Sequence, residues 1–319
     1  MSEKIELNAT VQKLLAEVND RYPDGSVFVQ FGDQKTGYVR HDQASQKVLP
    51  GGLFITVNDV TAPDYTASHE LLHLLMLLQG FPQIFFSLSL GNAQLDEQMM
   101  IMATDLYDVA MHRVVVEVQR QHGLINDTIE AAYLKGIQAT LTPEKDGDND
   151  ERTLRLLTLL DALVFYGDHL DQVAPTLTAA YPVAFAAAQK LYAAWVTKPV
   201  DSPFEMRRQI VKLFRLFDEQ MQAWGLPALH NNDFTTLTPA LSERQLRLKV
   251  RQVFEIFHSD MQSRHGDKEV YVGIRRNDRQ NSFVLPAPQP NTPDAFVKWY
   301  DTPVQTFLED RGIPYLVRK

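Results

Sequence analysis

Thr66-Ala67-Ser68-His69-Glu70-Leu71-Leu72-His73-Leu74-Leu75-Met76 decides how the first third of this chain folds. Residues four apart on a helix lie one above the other. His69 and His73 can therefore both turn a ring nitrogen toward one zinc ion. Glu70 follows about 100° further round, close enough to act on a metal-bound water. Pro63 and Asp64 precede the helix, and Gly80 and Pro82 stop it. Its other positions are mostly Leu and Met, so the helix is buried. A buried His-Glu-His set is costly unless something pairs with it.

Working outward, residues 8–21 read as an amphipathic helix, with Asn8 as cap and Val11, Leu14, Leu15 and Val18 as its stripe. Tyr22-Pro23-Asp24-Gly25 is a turn, and residues 26–31 are a strand. Tyr38-Val39-Arg40 reads as pairing back, and residues 52–57 are a second strand. Beyond the motif, residues 81–90 are an apolar loop and 92–121 a long helix. On that helix Glu97, Thr104, Asp105, Asp108 and His112 share about a third of the circumference. An acidic stripe on an otherwise apolar helix suits a metal and the groups that orient its ligands. If the two helices form a tight antiparallel pair, the residue level with His73 lies near Met99. Glu97 is the nearest acidic group and the expected third ligand. Asp108 and His112, four apart, either hold a ligand in place or replace Glu97 if the 81–90 loop is extended.

His69-Glu70-x-x-His73 resembles the motif of the zincin metallopeptidases, and more loosely their gluzincin branch, over residues 64–112. Glu97 resembles the downstream Glu that completes the gluzincin site. The common gluzincin form has Asn-Glu and an Asp four residues on, where this chain has Asp96-Glu97 and Ile101. The resemblance implies a sheet whose edge strand binds extended peptide, and places that edge at residues 54–58. It also implies a peptide or protein substrate.

Residues 141–152 form an exposed acidic connection, whose Asp146, Asp148 and Asp150 lack the Gly and Glu of a calcium loop. Residues 154–173, 182–196, 203–224 and 242–261 read as helices. Within them Tyr166 and His169 could each donate a hydrogen bond to a developing oxyanion, and otherwise read as ordinary helix residues. Residues 269–274 and 281–285 form a hairpin, residues 286–293 a Pro-rich spacer, and residues 293–311 a last short helix. His41, His122, His230, His258 and His265 have no spacing that suggests chemistry.

The chain has 319 residues, net charge −9 and no Cys. That argues against nucleic acid as a main partner and excludes disulfides and Cys–zinc sites. The first residues are polar with no secretory pattern, which fits a cytoplasmic protein. The window 71–90 is broken by Gly80-Phe81-Pro82-Gln83, so no membrane span is expected. The expected fold class is α+β, mostly helical: a small N-terminal sheet packed on the motif helix, a large helical region, and a C-terminal hairpin. The expected division is 1–143, 153–265 and 266–319, or one domain throughout. Three functional readings stand: zinc-dependent peptide-bond hydrolysis with Glu70 as general base, a non-catalytic or regulatory binding module that retains the fold, or an unrelated helical enzyme in which the motif is accidental.

Overall fold

Asn8 starts the first helix, α1 (Ala9–Arg21), by accepting from the backbone N–H groups of Thr10 and Val11 through its side chain. The computed structural model describes residues 5–145, 151–264, 266–267 and 269–318. The middle of the expected acidic connection, 146–150, and His265 lie outside the described residues. The chain forms two compact units, Met1–Gln79 with Met111–Ala194, and Gly80–Ala110 with Trp195–Lys319. The expected boundary near 143–153 falls inside the first unit and that at 265–266 inside the second.

In the first unit, strands β1 (Ser26–Gln34), β2 (Ala44–Leu49) and β3 (Gly52–Asp59) form a sheet in the order β1-β3-β2. β1 and β3 are parallel, in register from Ser26↔Gly52 to Phe31↔Val57. β2 and β3 form an antiparallel hairpin around Pro50-Gly51. Gly52 permits the close approach of β1: a Cβ there would lie 1.8 Å from the Ser26 carbonyl oxygen. Leu53, Ile55 and Val57 of β3 are buried on one face, in the alternation of a half-buried strand. The Asn19 side chain ties α1 to the sheet, accepting from Val27 N–H and donating to Val27 C=O.

The sheet differs from the expected one in two places. Residues 54–58 lie on the central strand, and β2 is an edge strand instead. β2 escaped a pattern reading because Ser45, Gln46 and Lys47 are exposed and polar, so no apolar alternation marks it. Tyr38-Val39-Arg40 is not a strand. Val39 is buried and donates its N–H to Ala132 C=O.

The motif helix α2 (Pro63–Leu78) has Pro63 in its first turn and buries Tyr65 to His69 and most of its leucines. It packs against α1 and β3. α3 (Ala93–Gln121) is one continuous helix whose residues belong to the second unit up to Ala110 and to the first from Met111. Gln119 on α3 donates to Tyr65 C=O and to Ser68 Oγ, fastening α3 to α2. α4 (Asp127–Thr140), α5 (Arg152–Tyr166), a 3₁₀ turn (Gly167–Gln172), α6 (Ala174–Ala180) and α7 (Pro182–Trp195) complete this part. Gly167, with φ of 49°, ends α5 earlier than the expected 154–173 helix.

The second unit carries β4 (Ile84–Phe85) and β5 (Leu88–Ser89), where an apolar loop was expected. They pair with β6 (Thr236–Leu237) and β9 (Gln262–Ser263). α8 (Pro203–Ala223) leads through α9 (Asn231–Phe234) to β7 (Ala240–Ser242), which pairs with β12 (Leu316–Arg318). The expected 242–261 helix is replaced by α10 (Glu243–Arg247), α11 (Val250–Val253) and strand β8 (Phe254–His258). Aromatic and β-branched residues at 254–257 favour pleated pairing over helix continuation. β8 joins the expected hairpin, β10 (Val270–Arg275) and β11 (Asn281–Pro286), in the order β11-β10-β8. α12 (Pro293–Asp301) and α13 (Val304–Glu309) replace the single last helix. The chain is thus α+β and mostly helical. No helix among the described residues is long and apolar enough to cross a membrane.

Gly52→Ala is expected to cost about 3 kcal/mol or more, because the backbone must part to admit the methyl group; the urea midpoint of the full chain checks this. Asp59 supplies a pH signal. Burial alone would raise its carboxyl pKa, but hydrogen bonds from Thr61 and Thr36 outweigh burial and hold it below the usual value. Its ionised form therefore adds stability above the unfolded pKa, lost as pH falls through the folded one. Stability should decline more steeply below about pH 4 in wild type than in Asp59→Asn.

Candidate metal centre

Helical spacing on α2 sets His69 and His73 one turn apart, with ring centroids 4.7 Å from each other. α3 adds His112, 4.8 Å from His69 and 5.2 Å from His73. The loop after β1 adds His41, stacked on His69 at 4.5 Å and 4.2 Å from His112. That loop is held by Val39 N–H on Ala132, and by Gly136 of α4, where a Cβ would meet the Val39 carbonyl oxygen at 2.0 Å. All four imidazoles and the groups that orient them lie within the first unit.

Asp161 of α5 is the carboxylate of the cluster. It accepts from His112 Nδ1 at 2.6 Å, from His41 Nδ1 at 2.8 Å and from the Tyr133 hydroxyl at 2.9 Å. Burial would raise its pKa, but the imidazoles of His112 and His41 overcome that and hold it well below the usual carboxylate range. An ionised carboxylate only accepts, so both Nδ1 atoms carry the proton. Burial holds His112 below the usual imidazole range, so its Nε2 keeps a lone pair. His41 Nε2 is already engaged with the Tyr65 hydroxyl at 2.9 Å.

Burial first, and neighbouring histidines second, hold His69 and His73 well below the usual imidazole range. Neutral imidazole is the form that ligates metal. His69 Nδ1 is buried with no hydrogen-bond partner among the described residues. Such a buried nitrogen needs one, and a metal or an ordered water would supply it. One nitrogen each of His41, His69 and His112 lie within 4.8 Å of one another, close enough to share a cation. His41 would have to give up Tyr65 to join. The overlapping set His69, His73 and His112 would leave both bonds of His41 intact.

Glu70 is half-buried on the same helix turn. Its Oε2 accepts from Gln46 Nε2 of the edge strand β2 at 2.8 Å. Burial raises its pKa, with the Gln46 bond and His41 opposing.

The structure thus brings His69, Glu70, His73 and His112 together, and does not bring Glu97 to them. Glu97 is exposed near the start of α3, about 22 Å before His112 along the helix at 1.5 Å per residue. Asp108 is half-buried one turn before His112. Glu97 would lie level with His73 only in a tight helical hairpin. The connection instead runs through β4 and β5, so His73 meets a residue much further along α3. His41, Asp161, Tyr133 and Tyr65 were not foreseen. Asp161 carried a signal: a lone carboxylate in Leu159-Leu160-Asp161-Ala162-Leu163 must have partners. His41, in a polar loop, carried none. Of the two side chains offered for an oxyanion, His169 bonds the Glu130 carboxylate and Tyr166 donates its hydroxyl to the Glu130 carbonyl.

Asp161→Ala should destabilise the protein by about 3–5 kcal/mol, since it strands three buried donors at once. Tyr133→Phe, losing one bond, should cost about 1 kcal/mol. Chemical denaturation of both variants checks the ratio. No protein-family model, curated protein or solved structure matches the chain.

Proposed function

We propose that this chain is a zinc-dependent peptidase in which His69, His73 and His112 hold the metal and Glu70 is the general base. One observation carries the reading: His112, with its Nδ1 proton fixed on Asp161, stands beside both histidines of the His-Glu-x-x-His helix. The donor set is all imidazole with an orienting carboxylate, which suits zinc.

When bound, zinc would lower the pKa of a water and polarise the scissile carbonyl. The remaining work falls to side chains. Glu70 takes a proton from the attacking water and delivers it to the leaving amine. Its upward-shifted pKa brings it closer to the range in which it can do both. Gln46 fixes one carboxylate oxygen and leaves the other for this exchange. Asp161 keeps His112 in the ligating tautomer. β2, which reaches Glu70 through Gln46, is an edge strand along which an extended peptide can pair.

The Gln46–Glu70 bond also favours a second reading, a metal-holding module in which Glu70 is structural. Glu70→Gln separates the two. The peptidase reading expects hydrolysis of a quenched-fluorescent peptide library to fall by about 10²–10⁴-fold with metal content unchanged. Equal turnover by variant and wild type, or none by zinc-loaded wild type, would sink it.

Third-ligand identity is tested by competition titration with a chromophoric chelator. His112→Ala should lose tight zinc binding, Asp161→Asn should weaken it about 10–100-fold, and Glu97→Ala should bind as wild type does. Retained affinity in His112→Ala, or loss in Glu97→Ala, would reassign the ligand.

A further inference from the structure

The second unit buries two arginines on one carboxylate. Arg207 of α8 is 1% exposed and Arg275 of β10 is 4% exposed. Arg207 Nη1 and Arg275 Nη1 both reach the same oxygen of Asp278. The second oxygen of Asp278 accepts from Gln280 N–H. Arg207 Nε is used on Thr238 C=O, at 2.9 Å. Two N–H groups remain: Arg207 Nη2 and Arg275 Nε are buried without a hydrogen-bond partner among the described residues. The side-chain oxygens of Gln280 and Thr235, joined by the Gln280 Nε2 bond to Thr235 C=O, are also buried and unpartnered.

Buried water can satisfy the neutral orphans. It cannot cancel a charge. Two guanidinium groups face one carboxylate, so one positive charge in this interior has no counter-charge among the described residues. Such a charge is expensive to bury unless an anion accompanies it. The nearby Glu255 does not help, because it pairs with Arg276 and Arg279 across the turn. Arg275 itself is pushed down to about 10 by burial and by the Arg207 charge. Asp278 is partly exposed on the β10–β11 turn, which gives a small ion a route inward.

We propose that Arg207 and Arg275 form a binding site for a singly charged oxyanion, taken up through Arg207 Nη2 and Arg275 Nε. The ligand class is a carboxylate or a phosphate, both of which match the planar donor fork of arginine. The site belongs to the second unit and stands apart from the histidine cluster in residues and in chemistry.

The test is thermal unfolding of the full chain with inorganic phosphate or acetate at low-millimolar concentration, against chloride at equal ionic strength. One oxyanion at about 100 times its dissociation constant should raise the wild-type Tm by about 4 °C. The arm that responds identifies phosphate or carboxylate. Arg275→Met should lose the response, which separates site binding from general salting effects. Asp278→Asn gives an opposite sign: removing the competing carboxylate should lower the half-saturating concentration about tenfold. If Arg275→Met does not fold, wild type and Asp278→Asn decide by themselves. Absence of a response to either oxyanion in wild type, an undiminished response in folded Arg275→Met, or weaker binding in Asp278→Asn would overturn the proposal.

Discussion

The carboxylate of Asp161 is the constraint on which the histidine cluster depends. A buried charge needs partners, and this one takes three donors from three different parts of the chain: His41 in the loop after β1, His112 on α3 and Tyr133 on α4. The bonds do more than offset desolvation. By accepting both Nδ1 protons, Asp161 fixes the tautomer of two rings at once. That decides which nitrogens remain free, and so which imidazoles can act as ligands. Tyr65 then engages the Nε2 atom of His41. A second partner, Tyr65, thus distinguishes two rings that Asp161 holds alike.

The same logic explains why some of the site was legible in the sequence. His69, Glu70 and His73 lie on one helix, where position in sequence is position in space. The expectation of a buried helix there rested on local pattern, and the helix has those bounds within a few residues. Strand β3 and the 270–286 hairpin were legible for the same reason, since apolar alternation and a polar turn are local signals. The limits of pattern lie elsewhere. β2 is polar and exposed, so nothing in Ala44 to Leu49 announces a strand. Phe254 to His258 is an alternating run that helical spacing also fits, and its partner β10 decides between the two. The third histidine depended on the length of a connection, which β4 and β5 set through pairing with distant residues. His41 depended on Gly136, nearly a hundred residues away, letting a loop come close.

The two units handle buried polarity differently. Around Asp161, donors and acceptors are matched and the open valences gather on imidazole nitrogens. Around Arg207 and Arg275, positive charge exceeds negative charge, and the open valences are two arginine N–H groups beside the side-chain oxygens of Gln280 and Thr235. The first arrangement suits a cation and the second an anion. Neither difference follows from overall charge, since the chain is acidic throughout its composition.

Both units are assembled from separated segments, and the histidine cluster inherits that discontinuity. His69 and His73 leave the ribosome long before Asp161. At typical elongation rates the delay is on the order of ten seconds. During it the motif helix, apolar on most faces, lacks the carboxylate that fixes its neighbours. The order of synthesis therefore exposes this helix first and completes its surroundings last. Any truncation short of α5 leaves this helix with α1 and β3 but without the carboxylate that orders its histidine neighbours.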